Sequence, residues 1–131
     1  MDEVLEFLKN TKTYYLATVE GDQPRVRAFG TICKFEDSLY IQSGRVKNVY
    51  KQRKANPKAE LIAFDGQQWL RIATTLIEDP RIEAEEAMLA EYPGLAGRYT
   101  PGDGNNVVFR LENSTATFEA FAPDSARTIN F

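Results

Sequence analysis

The chain has 131 residues, which is enough for one domain with its own hydrophobic core and without help from a metal or a disulfide. Its formal net charge is −3 with acidic and basic residues intermixed, so no field attracts nucleic acid in general, and no apolar run approaches the roughly 20 residues of a membrane-spanning helix. With no histidine and one cysteine, the chain cannot form a Ser-His-Asp triad, a Cys-His pair, a Cys/His zinc site or a histidine-ligated haem, so any redox chemistry would depend on an organic cofactor.

The cysteine content also bears on location. The single cysteine, Cys33, precludes an internal disulfide and predicts a reducing, cytoplasmic environment. The N-terminal segment is acidic and amphipathic, unlike a secretory or transit peptide. Cys33 ends an apolar strand pattern, so we interpret it as a buried thiol rather than a redox centre.

In the first half of the chain the pattern predicts one helix followed by three strands. Val4, Leu5 and Leu8 have helical spacing and predict a helix over residues 2–9. Strands are predicted over residues 13–19, 24–33 and 39–43, from β-branched and aromatic residues and from period-two alternation. In the second strand Val26, Ala28 and Gly30 face one way, and Arg25, Arg27 and Phe29 face the other.

In the second half, helices are predicted over residues 46–55 and 81–91, the latter capped by Asp79 with Ile82, Ala87 and Met88 toward its buried side. Strands are predicted over residues 60–64, 68–76, 106–111 and 115–121, with a Gly- and Pro-rich loop at 96–106 and a polar tail from residue 122. A mostly antiparallel sheet of this size removes its edges by closing. We therefore predict a mainly β fold with peripheral helices (α+β), in which six or more antiparallel strands form a barrel.

One segment predicts an anion site. The strand at residues 39–41 leads into Gln42-Ser43-Gly44, which is predicted to be a loop, and then into Arg45, Lys47 and a helix start. Unpaired N–H groups at a helix start, a serine hydroxyl and adjacent cations together suit a phosphate. No Gly-x-x-x-x-Gly-Lys pattern is present, so an ordinary P-loop is not predicted, and a plain strand-to-helix connection with solvated cations remains the alternative.

Several segments together resemble one family over nearly the whole chain, from Leu5 to Phe118. They are Tyr15-Leu16-Ala17-Thr18-Val19, Gln23-Pro24-Arg25-Val26-Arg27-Ala28-Phe29-Gly30, Leu39-Tyr40-Ile41-Gln42-Ser43, Lys47-Asn48-Val49-Tyr50-Lys51-Gln52, Ala55-Asn56-Pro57-Lys58 and Trp69-Leu70-Arg71-Ile72. In order and spacing they resemble the pyridoxamine 5'-phosphate oxidase-like flavoproteins, in particular the short bacterial members. The resemblance implies an FMN-binding split β-barrel and a homodimer with two FMN molecules at the subunit interface.

The resemblance also implies roles for individual residues. The strand Arg27-Ala28-Phe29-Gly30 would run beside the flavin ring, Gln42 and Ser43 would lie near the ring and its phosphate tail, and Lys47 would bind the phosphate. Arg25 and Arg27 would contact phosphate or ring, unless they are surface charges on an alternating strand. Trp69 and Arg71 lie on a strand that would approach the flavin across the dimer, with plain packing as the alternative for Trp69.

The chain also departs from the family oxidase that makes pyridoxal phosphate. That enzyme carries basic and histidine residues near its C-terminus, whereas this chain has no histidine and only Arg127 in residues 122–131. These departures argue against the activity that makes pyridoxal phosphate. We predict instead a small FMN-dependent oxidoreductase, with a nicotinamide or a reduced substrate as donor and a quinone, a nitro compound or oxygen as acceptor. Tyr40, Tyr50, Tyr99, water or the flavin itself would transfer protons. A non-catalytic flavin store or sensor and a deazaflavin-binding protein are the alternatives, and net acidity disfavours a barrel that binds nucleic acid.

Overall fold

The computed structural model describes residues 1–131, and the chain forms three helices and eight strands. A short 3-10 helix spans Pro93–Leu95. The helices and strands, in chain order, are α1 Asp2–Thr11, β1 Tyr14–Glu20, β2 Gln23–Phe29, β3 Cys33–Phe35, β4 Ser38–Gly44, α2 Asn48–Ala55, β5 Lys58–Phe64, β6 Gln68–Glu78, α3 Ile82–Glu91, β7 Asn106–Ala120 and β8 Arg127–Asn130.

All eight strands belong to one antiparallel sheet that does not close. The strand order is β2-β1-β5-β6-β7-β4-β3, with β8 paired to β7 off this path. The two end strands, β2 and β3, follow each other in the chain but do not pair, so the sheet curls into a barrel that stays open between them. The prediction of a mainly β split barrel with peripheral helices is therefore confirmed.

The barrel interior is the main hydrophobic core. The side chains that alternate inward along the strands pack with Val4 and Leu8 of α1 and with Val49 of α2 in one cluster of 18 buried residues. The period-two burial of β1 and β6 is the pattern that the sequence predicts for strands with one buried face. The two helices therefore bury their apolar faces against the barrel interior, and α2 brings its first turn beside β4.

The third helix covers the outer side of the barrel at β3, β4 and β7. Ala84 and Met88 of α3 pack there against Cys33, Tyr40 and Val108. Ile82 is 42% exposed, so its predicted place on the buried side of the helix is wrong. Cys33 is buried, as the sequence predicts, and this burial raises the pKa of its thiol to about 11.

Asp79 does not cap α3 as predicted. The helix begins after Arg81, and no side chain caps it. The Asp79 carboxylate instead accepts hydrogen bonds from the Arg81 guanidinium at 2.8 Å and from the Tyr40 hydroxyl at 2.8 Å. The residue therefore joins the start of α3 to the strand beneath it.

One further prediction about strands is wrong at the C-terminal end. Residues 106–111 and 115–121 are not separate strands but one strand, β7, in which Asn113 has a φ of 52°. The register with β6 shifts between Ala73 and Thr75, and the Thr74 and Ser114 hydroxyls lie 2.8 Å apart inside this irregularity. The polar tail forms β8 on β7, where Ile129 packs against the core.

For the segment Gln42-Ser43-Gly44, the strand predicted over residues 39–43 is confirmed and the loop predicted at the anion site is wrong. The segment is the last part of β4, paired with Asn106, Val107 and Val108 of β7, and all three of its residues are buried. The predicted helix over residues 46–55 begins two residues later, at Asn48. None of the helices is long and apolar enough to cross a membrane.

Candidate functional site

A cleft of about 740 Å³ lies at the opening of the split barrel, between β2 on one side and β4 with the start of α2 on the other. Its volume is within the range of small-molecule and cofactor sites, about 300–1,000 Å³. The lining residues are Glu20, Arg25, Val26, Arg27, Ala28, Phe29, Gly30, Thr31, Gln42, Ser43, Lys47, Asn48, Val49, Gln52 and Tyr99. Eight of the ten predicted site residues are therefore brought together here.

One corner of the cleft presents hydrogen-bond donors that have no partner in the chain. The backbone N–H groups of Asn48 and Val49 open α2 and make no hydrogen bond, and neither does the Ser43 hydroxyl. The Lys47 ammonium group makes no ion pair. We call these four residues the donor corner. It combines one full positive charge, one hydroxyl and two N–H groups at the positive end of a helix, which suits an anion.

Strand β2 has an inverted alternation. Val26 and Ala28 pair with Ala17 and Tyr15 of β1 and point outward with them, and Val26 is 68% exposed. Its two arginines and Phe29 share the opposite face, as predicted, and the structure shows that this face points toward the barrel interior and the cleft. An ordinary half-buried strand places its apolar residues inward and its charges in water. The strand therefore presents positive charge to the cleft and apolar side chains to the outside.

Arg27 is held in place by a buried polar network. Its guanidinium donates to the Thr18 hydroxyl at 2.7 Å and to the Gln52 side-chain oxygen, and that oxygen also accepts a 2.6 Å hydrogen bond from Thr18. Desolvation by burial lowers the pKa of Arg27, which still stays charged at neutral pH. The network connects β1, β2 and α2, and it fixes a positive charge in the wall of the cleft.

Arg25 is less constrained than Arg27. It donates two hydrogen bonds to the Glu20 carboxylate, at 3.1 Å and 2.9 Å, and both side chains are about half exposed. Such an exposed pair holds its partners weakly. The guanidinium can therefore turn from Glu20 toward an anion in the cleft at small cost.

The rest of the lining is mostly backbone and neutral side chains. Gly30 and Thr31 continue from the free edge of β2, and the Thr31 hydroxyl accepts a 3.0 Å hydrogen bond from the Gln42 backbone N–H. The Gln42 side chain donates to the Asn106 side-chain oxygen at 2.9 Å. These contacts hold the connection from β2 to β3 against β4, so the walls of the cleft keep a defined separation.

Arg45 does not contribute charge to the cleft. It donates to the Glu78 carboxylate at 3.0 Å, to the Gly104 carbonyl at 3.0 Å and to the Tyr50 hydroxyl. The prediction that it adds charge to the anion site is therefore wrong, since its guanidinium instead anchors the segment that precedes the donor corner. The Tyr50 ring stacks on Phe109, and its hydroxyl donates to the Glu78 carboxylate at 2.9 Å. Tyr50 therefore has a packing role, and it does not line the cleft.

The other two predicted site residues lie outside the cleft of their own chain. Trp69 packs on Phe121 with ring centroids 5.0 Å apart, on the outward face of β6. Arg71, on the same face, lies 3.6 Å from the Glu60 carboxylate and 3.5 Å from that of Glu119. A contact of either residue with a flavin would have to come from a second copy of the chain, and this stays a prediction.

Tyr99 is the lining residue whose place the sequence could not give. It belongs to the Gly- and Pro-rich loop at 96–106, and the loop reaches the cleft because Asn105 accepts hydrogen bonds from the backbone N–H groups of Arg45 and Val46. Of the three tyrosines proposed for proton transfer, only Tyr99 lines the cleft. Tyr40 instead donates to Asp79 beneath α3.

Proteins with similar sequences and structures are known. The sequence profile of the family described as pyridoxamine 5'-phosphate oxidase matches residues 1–119, whereas no curated protein matches the chain significantly. Among solved structures, a NimC/NimA family protein from Clostridium acetobutylicum is 37% identical, and the match covers 100% of this chain and 93% of that chain with a TM-score of 0.94.

Two more distant structures share the fold. A pyridoxamine 5'-phosphate oxidase-related, FMN-binding protein from Nostoc punctiforme is 17% identical over 97% of this chain and 85% of that chain, with a TM-score of 0.67. An F420 reductase is 20% identical over 82% of this chain and 90% of that chain, with a TM-score of 0.59. At these identities the likeness extends to the fold alone.

Proposed function

Because this chain belongs to the pyridoxamine 5'-phosphate oxidase family, we propose that its cleft binds FMN and that the protein is a small FMN-dependent oxidoreductase. The donor corner is the observation that carries the proposal. Ser43, Lys47, Asn48 and Val49 direct their free donors into one cleft at the positive end of α2, an arrangement that favours an anion. A terminal phosphate would satisfy all of them.

The remainder of the cleft suits the flavin ring. The stretch Ala28-Phe29-Gly30 lies along the free edge of the sheet, where backbone groups have no strand partner and can bond the polar rim of a flat ring. Arg27, held by Thr18 and Gln52, supplies a fixed positive charge beside that edge.

FMN, when bound, would supply a ring that takes a hydride from a donor and passes electrons to an acceptor. The chain's own part is to bind the phosphate, to align the ring along β2 and to set the polarity around it. Tyr99 is the one tyrosine in the lining, and its hydroxyl makes no hydrogen bond within the chain, so of the three tyrosines considered it is the one free to carry a proton there. Water would supply the remaining proton transfers.

We also propose that the protein is a homodimer that forms through the outward face of β2, β1, β5 and β6. Residues paired across these strands point the same way, and the exposed members include Tyr15 at 50%, Val26 at 68% and Phe64 at 53%. No helix covers this part of the outward face, whereas α3 covers the outward face at β3, β4 and β7. An apolar surface beside the cleft fits a second copy, which would place Trp69 and Arg71 near the partner's flavin.

The first experiment is the visible spectrum of the purified protein before and after addition of FMN, with excess flavin removed by gel filtration. We expect about one flavin per chain in a species that elutes as a dimer. A well-folded protein that retains no flavin would contradict the proposal, and retention of F420 instead would favour the deazaflavin alternative.

Turnover then separates an enzyme from a carrier. The flavin-loaded protein is mixed with NADH or NADPH under anaerobic conditions, and reoxidation is followed with a quinone, a nitro compound or oxygen. Fast reduction with one preferred acceptor supports the oxidoreductase, whereas slow reduction without preference supports a flavin store or sensor. A cytoplasmic location, where these donors are abundant, is part of the same proposal.

A further inference from the structure

We infer that Tyr99 closes the cleft beside the donor corner and thereby restricts the protein to flavins with a terminal phosphate. FMN would be accepted, whereas FAD and deazaflavins whose chain continues beyond the phosphate would be excluded. The inference rests on the proposed function, since it concerns which cofactor the same cleft admits. Three observations about the loop at 96–106 carry it.

The first observation is the contact between Tyr99 and the end of β4. A Cβ atom added at Gly44 would lie 3.0 Å from the Tyr99 hydroxyl oxygen and 3.4 Å from Cε1 of its ring. The ring therefore packs directly on the Gly44 backbone, at a position where any larger residue would hold it away. Tyr99 lines the same cleft as the four residues of the donor corner.

The second observation is that no gap separates the loop from the segment before α2. The Arg45 N–H donates to the Asn105 backbone carbonyl at 2.7 Å, and the Val46 N–H donates to the Asn105 side-chain oxygen at 3.3 Å. The Arg45 side chain donates to the Gly104 carbonyl at 3.0 Å. The two segments are thus joined beside the donor corner, and a chain that left the phosphate on this side would meet the junction.

The third observation is that the loop is held from within. Asp103 accepts hydrogen bonds from the backbone N–H groups of Thr100, Asn105 and Asn106, at 2.9 Å, 2.8 Å and 2.7 Å. Glu85 of α3 accepts from the Gly102 N–H at 3.1 Å. Moving this loop away from the cleft would break these hydrogen bonds and would therefore cost free energy.

The chemical consequence concerns the two kinds of phosphate. A phosphomonoester has three free oxygens and needs no space beyond them, so it can sit against a wall. A phosphodiester carries a substituent on one of those oxygens, and this substituent would meet the Tyr99 ring and the joined segments. Exclusion by collision with a rigid wall gives selectivity without extra affinity for the preferred ligand.

The test compares FMN, FAD and riboflavin by fluorescence titration of the apo-protein. The variants are Tyr99→Ala, which removes the wall, Tyr99→Phe, which removes only the hydroxyl, and Arg98→Ala, a control at an exposed neighbour outside the lining. We expect the unaltered protein and the Phe and Arg98 variants to prefer FMN over FAD. Tyr99→Ala should narrow that preference by about tenfold or more, with riboflavin affinity changed little.

Two results would overturn the inference while leaving the proposed function intact: FAD binding as tight as FMN binding in the unaltered protein, or an FMN preference unchanged in Tyr99→Ala. Should the alanine variant not fold, Tyr99→Leu also removes the reach of the phenol and gives the same comparison. Binding of neither FMN nor FAD by the unaltered protein would overturn the proposed function itself.

Discussion

Replacement of Lys47 by alanine tests the donor corner most directly. The Lys47 ammonium group has no ion-pair partner and its side chain is exposed, so its removal leaves no other group unpaired. A hydrogen bond to a charged group contributes about 1.5–3 kcal/mol. Because solvent screens this exposed lysine, we expect a loss of about 1–2 kcal/mol, or about 5- to 30-fold in FMN affinity.

The assay titrates FMN and riboflavin into the apo-protein and follows flavin fluorescence. Riboflavin lacks the phosphate, so Lys47→Ala should weaken FMN binding and leave riboflavin binding nearly unchanged. Ser43→Ala should also weaken FMN binding and not riboflavin binding, with a smaller loss of about 0.5–1.5 kcal/mol in FMN binding free energy. Lys51→Ala is the matched control, because Lys51 lies one turn later on α2 and outside the lining. It should change the affinity for neither FMN nor riboflavin.

Salt gives a second check on the same residue. The effect of Lys47→Ala should shrink between about 0.05 M and about 0.5 M salt, since the interaction with phosphate is one between solvent-accessible charges. An equal loss of FMN and riboflavin affinity, or no loss of either, would refute the assignment of this corner to the phosphate. The first of these results would mean that the substitution disturbs the cleft as a whole.

Two other predictions concern association and stability. Tyr15→Lys places a charge in the middle of the proposed interface, so this variant should elute as a monomer on gel filtration. Tyr15→Phe is the control and should remain a dimer. If both variants elute as dimers, the proposed interface is wrong. The Arg81 guanidinium and the Tyr40 hydroxyl hold the pKa of Asp79 well below its usual value, so the ionised carboxylate stabilises the fold above about pH 4 and this contribution is lost as the pH falls further. Asp79→Asn should therefore lower the free energy of unfolding by about 1–3 kcal/mol at pH 7, and urea titrations should show that the difference from the unaltered protein shrinks below pH 4.

Local patterns predicted most of the strands and the position of the donor corner. Burial on one face produces the period-two alternation of β1 and β6, and the switch to helical spacing after Gly44 marks the connection that carries Lys47. The alternation of β2 was also predicted, although the sequence did not show which of its two faces points into the cleft. These features depend on neighbours in the chain, which is why one sequence sufficed.

The structural features that the sequence did not predict depend on contacts between segments that are distant in the chain. The polar stretch at Asn113 and Ser114 has the composition of a turn, yet Thr74, 40 residues away, pairs with Ser114 and keeps β7 continuous. Tyr99 enters the cleft only because Asn105 bonds the segment before α2. Gln42 has polar chemistry typical of a loop, but β7 supplies partners for its backbone and Asn106 for its side chain.

The role of Trp69 separates a site built by one chain from a site shared by two. In the shared arrangement each FMN would contact Lys47 of one copy and Trp69 of the other, because Trp69 lies outside the cleft of its own chain. Trp69→Ala should then weaken FMN binding by about 0.5–1.5 kcal/mol, as expected for an aromatic contact. That result alone would not exclude an indirect effect within one chain.

A mixed dimer of Lys47→Ala and Trp69→Ala chains resolves this. In the shared arrangement one of its two sites combines an intact Lys47 with an intact Trp69, while the other carries both substitutions. The mixed dimer, isolated with two different affinity tags, should therefore bind one FMN with the affinity of the unaltered protein and a second much more weakly. If each site belongs to a single chain, neither site is intact, and titration would show no tight site at all.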